Sequence, residues 1–280
     1  MGGKYFTATV KPEIAASLQT GAFGAGDVLC DWTAFDVPKG ANRLIGVTAI
    51  IRGTDGAAHA TARDLELYFA KSTNGGITAP PSLGTINATA DGVGFYNHII
   101  GSAKIDNTAG ADWKLLLDTL SVATTGFGAG ATQAAFGVLQ GEPESGTNVG
   151  YDKLYLGVIT AGALNFSTEV DIGPSAGVDI SGSDGTFDVI DGTDPRLCFA
   201  PGDVLHAQDD IIVGEIASLD ANNITFKFSG EATASGTSYT VPATLAAWRI
   251  QNGAGTAGDL LENDELYNIN PVTFILSFER

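Results

Sequence analysis

The sequence is short of the residues that carry most active-site chemistry. Its 280 residues include two cysteines, three histidines and one methionine. Cys30 and Cys198 are too few for a disulfide framework or a cysteine-rich metal site, so two buried free thiols are expected. His59, His98 and His206 are isolated, and none pairs with another at metal-ligand spacing. Core or surface roles are expected for them. His98, in Tyr96-Asn97-His98-Ile99-Ile100, is expected to be half-buried with its ring hydrogen-bonded. No apolar stretch is long enough to span a bilayer as a helix, because Gly, Asp, Asn and Pro interrupt each one. The start, Met1-Gly2-Gly3-Lys4-Tyr5-Phe6, lacks the apolar core of a signal peptide. Phe6 stands where a myristoylation motif wants Ser or Thr. A cytoplasmic start is expected.

Basic residues are also scarce. Only 14 Lys and Arg stand against 32 Asp and Glu, a formal charge of −18. Phosphate-dependent nucleic-acid binding needs the opposite balance, and anionic membranes would repel such a surface. Neither partner is expected. What the chain does have is a 44% hydrophobic composition, enough for a sizeable core. Its 37 glycines and 10 prolines follow no period, which excludes collagen.

The apolar residues alternate with period two, the signature of strands with one buried face. Leu65, Leu67 and Phe69 alternate with Glu66 and Tyr68, and Ile224, Phe226 and Phe228 with Thr225 and Lys227. Phe274, Leu276 and Phe278 do the same near the end. Further strands are predicted over Leu44–Arg52, Tyr96–Ala103, Ala134–Leu139, Lys153–Ile159 and Ile211–Leu219. Turns are predicted at Thr54-Asp55-Gly56, Asn74-Gly75-Gly76, Asp91-Gly92 and Asp220–Asn223. Helix signals are confined to Ala109–Leu120, where Trp113, Leu116, Leu117 and Leu120 have helical spacing, and to Pro12–Leu18.

From Asp171 to Asp194 the chain is rich in Asp, Gly and Ser and has no Lys or Arg, which reads as an exposed connector. A Pro201-Gly202-Asp203 turn and two strands about a tight turn then suggest a small SH3-like or OB-like barrel. The expected fold is all-β: a jelly-roll-like sandwich over residues 1–170, an acidic linker over 171–195, and a small barrel over 196–265. Residues 266–280 are expected to return to the sandwich.

Two glycine motifs invite catalytic readings. Gly173-Pro174-Ser175-Ala176-Gly177 matches a hydrolase nucleophile elbow, but Val178-Asp179-Ile180-Ser181-Gly182 after it is not helical in character. Gly253-Ala254-Gly255-Thr256-Ala257-Gly258 matches a dinucleotide loop, but no βαβ alternation surrounds it. Both read as loops. The acidic connector offers Asp184, Asp188 and Asp191 as calcium candidates without the spacing of a known calcium loop, so a solvated acidic loop is the expectation. No cofactor and no catalytic residue is assigned. Trp32, Trp113 and Trp248 are expected in core packing or at an interface, with sugar stacking as the alternative.

Phe35-Asp36-Val37-Pro38-Lys39-Gly40-Ala41, Asp64-Leu65-Glu66-Leu67-Tyr68-Phe69-Ala70 and Asn97-His98-Ile99-Ile100-Gly101 resemble virion structural proteins of marine tailed phages, including cyanophages. So do Phe199-Ala200-Pro201-Gly202-Asp203-Val204-Leu205 and Leu266-Tyr267-Asn268-Ile269-Asn270-Pro271. The resemblance implies a non-enzymatic particle protein, a capsid decoration or cement protein on the outer capsid surface, made in the host cytoplasm. Its implied partners are the major capsid protein and copies of itself, as a homotrimer. The N-terminal segment, about residues 1–20, is expected to contact neighbours. The alternatives are a tail, baseplate or fibre component, or a particle-attached carbohydrate-binding module.

Overall fold

The computed structural model describes residues 4–19, 22–38, 41–52, 64–72, 79–105, 113–117, 120–126, 137–139, 153–162, 164, 166, 170–171, 178–181, 184–188, 194–207, 211–221, 223–228, 231–234, 237–240, 250–251, 261–262 and 265–280. Among them the protein is almost wholly β. The strands are β1 (Tyr5–Val10), β2 (Val28–Asp36), β3 (Asn42–Arg52), β4 (Leu65–Ala70), β5 (Ile99–Ile105), β6 (Trp113–Leu117) and β7 (Leu120–Gly126). They continue as β8 (Gly137–Leu139), β9 (Lys153–Thr160), β10 (Val170–Asp171), β11 (Val178–Ser181), β12 (Asp184–Asp188), β13 (Val204–Ala207) and β14 (Ile211–Leu219). The last are β15 (Asn223–Phe228), β16 (Glu231–Ala234), β17 (Thr237–Thr240), β18 (Ile250–Gln251), β19 (Leu261–Glu262), β20 (Glu265–Asn268) and β21 (Val272–Glu279).

The period-two pattern becomes two-faced strands. In β4, Leu65, Leu67 and Phe69 are fully buried, while the Tyr68 hydroxyl donates to Glu66 Oε2 at 2.7 Å on the other face. In β21, Phe274, Leu276 and Phe278 are fully buried. The predicted strand Ile211–Leu219 matches β14 residue for residue.

Two sheets form a sandwich, one ordered β1-β21-β3-β7-β6 with β8 also on β3, the other β2-β9-β4-β5. The pairings nest. First pairs with last (β1 with β21), β2 with β9, β3 with β7, and β4 with β5, all antiparallel. A long hairpin rolled on itself in this way gives two Greek keys, the jelly-roll topology. The inner faces share one core, with Leu44, Val47, Ala49, Phe274 and Leu276 from one sheet and Leu67, Phe69, Leu154, Leu156 and Val158 from the other. Phe35 of β2 bridges the sheets, stacking on Phe278 of β21 at 6.4 Å and meeting Phe69 of β4 edge-on at 6.4 Å.

A second sheet system sits in the chain between β9 and β21. Its order is β10-β20-β13-β14-β15-β12-β11, all antiparallel. The end strands β10 and β11 are not paired with each other among the described residues. The acidic stretch 171–195, read as a connector, supplies β11 and β12, and β12 pairs along Asp184–Asp188 with Asn223–Lys227 of β15. The sheet reaches from Val170 to Asn268, beyond the expected 196–265 on both sides.

Two helix expectations change. Trp113–Leu117 and Leu120–Gly126 are antiparallel strands, not part of a helix over Ala109–Leu120. Pro12–Leu18 contributes only to α1, Ala16–Gln19. Phe95–His98 is a 3-10 turn, so the strand predicted from Tyr96 starts at Ile99. No helix among the described residues is long and apolar enough to cross a membrane. The turns at Thr54–Gly56 and Asn74–Gly76 lie outside the described residues.

Candidate functional site

Asp203 closes the turn Ala200–Asp203. Gly202 takes φ +83, a left-handed conformation that glycine adopts without strain. The turn is reciprocal: the Asp203 backbone N–H donates to Ala200 O at 3.0 Å, and the Ala200 N–H donates to Asp203 Oδ2 at 2.9 Å. Gly202 N–H to Ile216 O (2.8 Å) and Ile216 N–H to Asp203 O (2.9 Å) fix it on β14.

This places the Asp203 carboxylate, wholly buried, where the inserted sheet meets the jelly roll. Lys11 Nζ lies 2.6 Å from Oδ1, and Arg52 Nη1 lies 3.3 Å from Oδ2. Asn268 Nδ2 donates to Oδ2 at 3.0 Å. Lys11 follows β1, Arg52 ends β3 and Asn268 ends β20. A carboxylate has about four lone-pair sites, and four donors converge on this one. A buried charge survives only with such pairing and hydrogen bonding. The network spreads through amides: Gln19 Nε2 donates to Asn268 O (2.7 Å) and Asn270 Nδ2 to Pro12 O (3.1 Å). Three of the donors meet Oδ2 and one meets Oδ1, so Asp203 is a structural anion held by the chain's own groups.

A cavity of about 310 Å³ adjoins this junction and shares Lys11 with it. Asp31, Trp32 and Thr33 of β2 line it, with Glu13 and Ile86. Trp32 is fixed by its Nε1 donating to Pro81 O at 2.8 Å. Its six-membered ring lies over Gly157 of β9, where a Cβ would come within 3.0 Å of the ring and 2.5 Å of Leu83 Cδ1. Asp31 Oδ1 accepts the Leu83 N–H at 3.0 Å, and Val28 exchanges backbone hydrogen bonds with Asn87 and Ala88 at 2.9 Å each, so the segment 79–98 is held over β2 at several points. From Trp32 an aromatic chain leads outward through Phe95 (6.4 Å) to Tyr96 (6.0 Å further). Tyr96 is 62% exposed and Val93 83%.

Cys30 also lines the cavity, but burial pushes its thiol up to about 12, so it stays protonated and is a poor nucleophile or ligand. Both cysteines are buried and free, as the sequence suggests. His98 is half-buried, and its Nδ1 has no hydrogen-bond partner among the described residues.

The sequence candidates scatter. Asp184 and Asp188 sit at opposite ends of β12, in register with Lys227 and Asn223, and Asp191 lies outside the described residues. Among the described residues no three His, Cys, Asp or Glu are grouped to hold a metal ion. Asp194 caps the turn Pro195–Leu197. The Arg196 guanidinium beside it, with its hydrogen bonds, holds its carboxyl below the usual range. His206 lies in β13, while His59, Trp248 and both glycine motifs lie outside the described residues. Trp113 lies in β6.

Sequence reasoning placed Asp203 in a turn and missed the junction. The only local signal was an Asp ending a Pro-Gly-Asp turn next to a strand. It also missed the lining of the cavity, since Glu13, Asp31 and Ile86 share no pattern. Comparison with protein-family models, with curated proteins and with solved structures found no match to this chain.

Proposed function

We propose that this chain is a non-enzymatic structural protein of a tailed-phage virion, a decoration or cement protein of the capsid that acts through protein contacts. The observation that carries the reading is the nested pairing of β1 with β21, β2 with β9, β3 with β7 and β4 with β5. That topology is common to viral capsid and lectin domains. Topology alone leaves the role open, so surface features must supply the rest. Val93 and Tyr96, both largely exposed, lie on a segment held over the sheet and offer apolar surface to a protein neighbour. The charge of −18 suits a place away from packaged nucleic acid. The buried Asp203 network couples the inserted sheet to the jelly roll, which suits a rigid clamp.

The test is to purify the chain, determine its oligomeric mass, and add it to capsids stripped of decoration. A homotrimer that binds in fixed ratio to the major capsid protein is the expected result. A monomer that does not bind capsids would exclude the cement role. A tail, baseplate or fibre component would bind tail structures at low copy number instead. A particle-attached carbohydrate-binding module would bind glycan irrespective of capsids.

A further inference from the structure

We infer that the cavity beside Trp32 receives an arginine side chain from a protein neighbour, an inference that rests on the virion reading only for who that neighbour is. The chemistry of the lining selects the ligand. Lys11 borders the cavity, with its ammonium turned to Asp203 at 2.6 Å, a carboxylate it shares with Arg52. The carboxylates of Glu13 and Asp31 remain, one at the exposed rim and one half-buried. Asp31 commits Oδ1 to the Leu83 N–H. The lining thus carries two carboxylates against one ammonium, and it lies in a chain of charge −18.

Trp32 and Ile86 add apolar walls. A planar guanidinium fits both demands, because it stacks on an indole and forks onto carboxylates. A lysine ammonium meets only the second, since it is compact and more strongly hydrated. At about 310 Å³ the cavity is at the small end of ligand sites, the scale of one side chain rather than an oligomer of sugars. The ring chain from Trp32 through Phe95 leads to Tyr96, which is exposed, as is Val93 on the same segment. One protein partner can contact these exposed side chains while a single arginine enters the cavity as its anchor.

The full chain labelled at the tryptophan indole nitrogens gives one signal per tryptophan, three in all, and Trp32→Phe identifies the one of interest. N-acetyl-arginine N-methylamide should shift the Trp32 signal saturably. The lysine analogue should bind at least threefold more weakly, and a neutral methyl hexoside should have no effect. Glu13→Gln, at the exposed rim, should weaken arginine binding about fivefold while the other indole signals keep their positions. Raising the salt tenfold should weaken it further, as for any partly exposed ion pair. A saturable shift with the hexoside instead of arginine, no shift with arginine, or equal affinity in Glu13→Gln would each overturn the inference. The probe is independent of particles. If arginine fails to bind while the chain still decorates capsids, only the cavity assignment fails. If arginine binds and the chain is absent from particles, only the virion reading fails.

Discussion

Lys11 Nζ lies 2.6 Å from Asp203 Oδ1, although 192 positions separate the two residues. Asp203 is completely buried and Lys11 is one-third exposed. Arg52 meets the other carboxylate oxygen at 3.3 Å. Three distant parts of the chain thus share one buried anion where the inserted sheet meets the jelly roll.

Asp203→Ala should be among the most damaging single changes. It leaves two cations facing a void, and removing one partner of a buried pair costs about 3–5 kcal/mol. Lys11→Met should cost less, about 1 kcal/mol, because Lys11 is partly solvated and Arg52 still pairs with Asp203. Urea unfolding of the two variants checks the ordering. Equal losses would mean that the network is not centred on Asp203.

Phe278→Ala should remove the ring that stacks on Phe6 at 5.0 Å and on Phe35 at 6.4 Å. A fully buried phenylalanine cut back to alanine costs about 3–5 kcal/mol. The loss should appear as a lower unfolding midpoint with an unchanged denaturant slope.

Gly157→Ala should disturb the cavity without touching a charge. The new Cβ would sit 2.5 Å from Leu83 Cδ1 and 3.0 Å from the Trp32 ring. Overpacking of this kind costs about 1–3 kcal/mol. The Trp32 indole signal should move, and binding at the cavity should weaken with it.

Much of the secondary structure was legible because alternation is local. Ile211–Leu219 and Leu65–Phe69 could be placed from their own residues. Trp113–Leu120 misled because four apolar residues in two short strands, β6 and the start of β7, happen to fall at helical spacing. In β11 and β12 the strand formers Val178, Ile180, Thr186 and Phe187 are outweighed in composition by the Asp, Gly and Ser around them, and the pairing of β12 with β15 was invisible in composition. The nested pairing and the Asp203 junction are long-range, since Arg52 and Asp203 are 151 positions apart, so no window of sequence contains either.

Alkaline pH should destabilise the fold. Burial pushes Cys30 from 9.0 up to about 12, and burial, with the hydrogen bond to Glu66, pushes Tyr68 from 10.0 up to about 12. Folded-state values above the unfolded ones mean that the folded chain holds the extra protons between these limits. The stabilisation is therefore complete below about pH 9 and is lost as pH rises toward 12. The slope for the thiol approaches about 1.4 kcal/mol per pH unit. Unfolding midpoints measured from pH 7 to 11 should be flat and then fall. In the same folded protein both thiols should resist alkylation at pH 8 and react only after denaturation.

Locating the chain in intact particles by electron microscopy tests the central proposal most directly. A capsid decoration protein should occupy symmetric positions on the outer head surface, in a fixed ratio to the major capsid protein and with hundreds of copies per particle. Density confined to the tail or baseplate at low copy number, or no density in the particle, would contradict it.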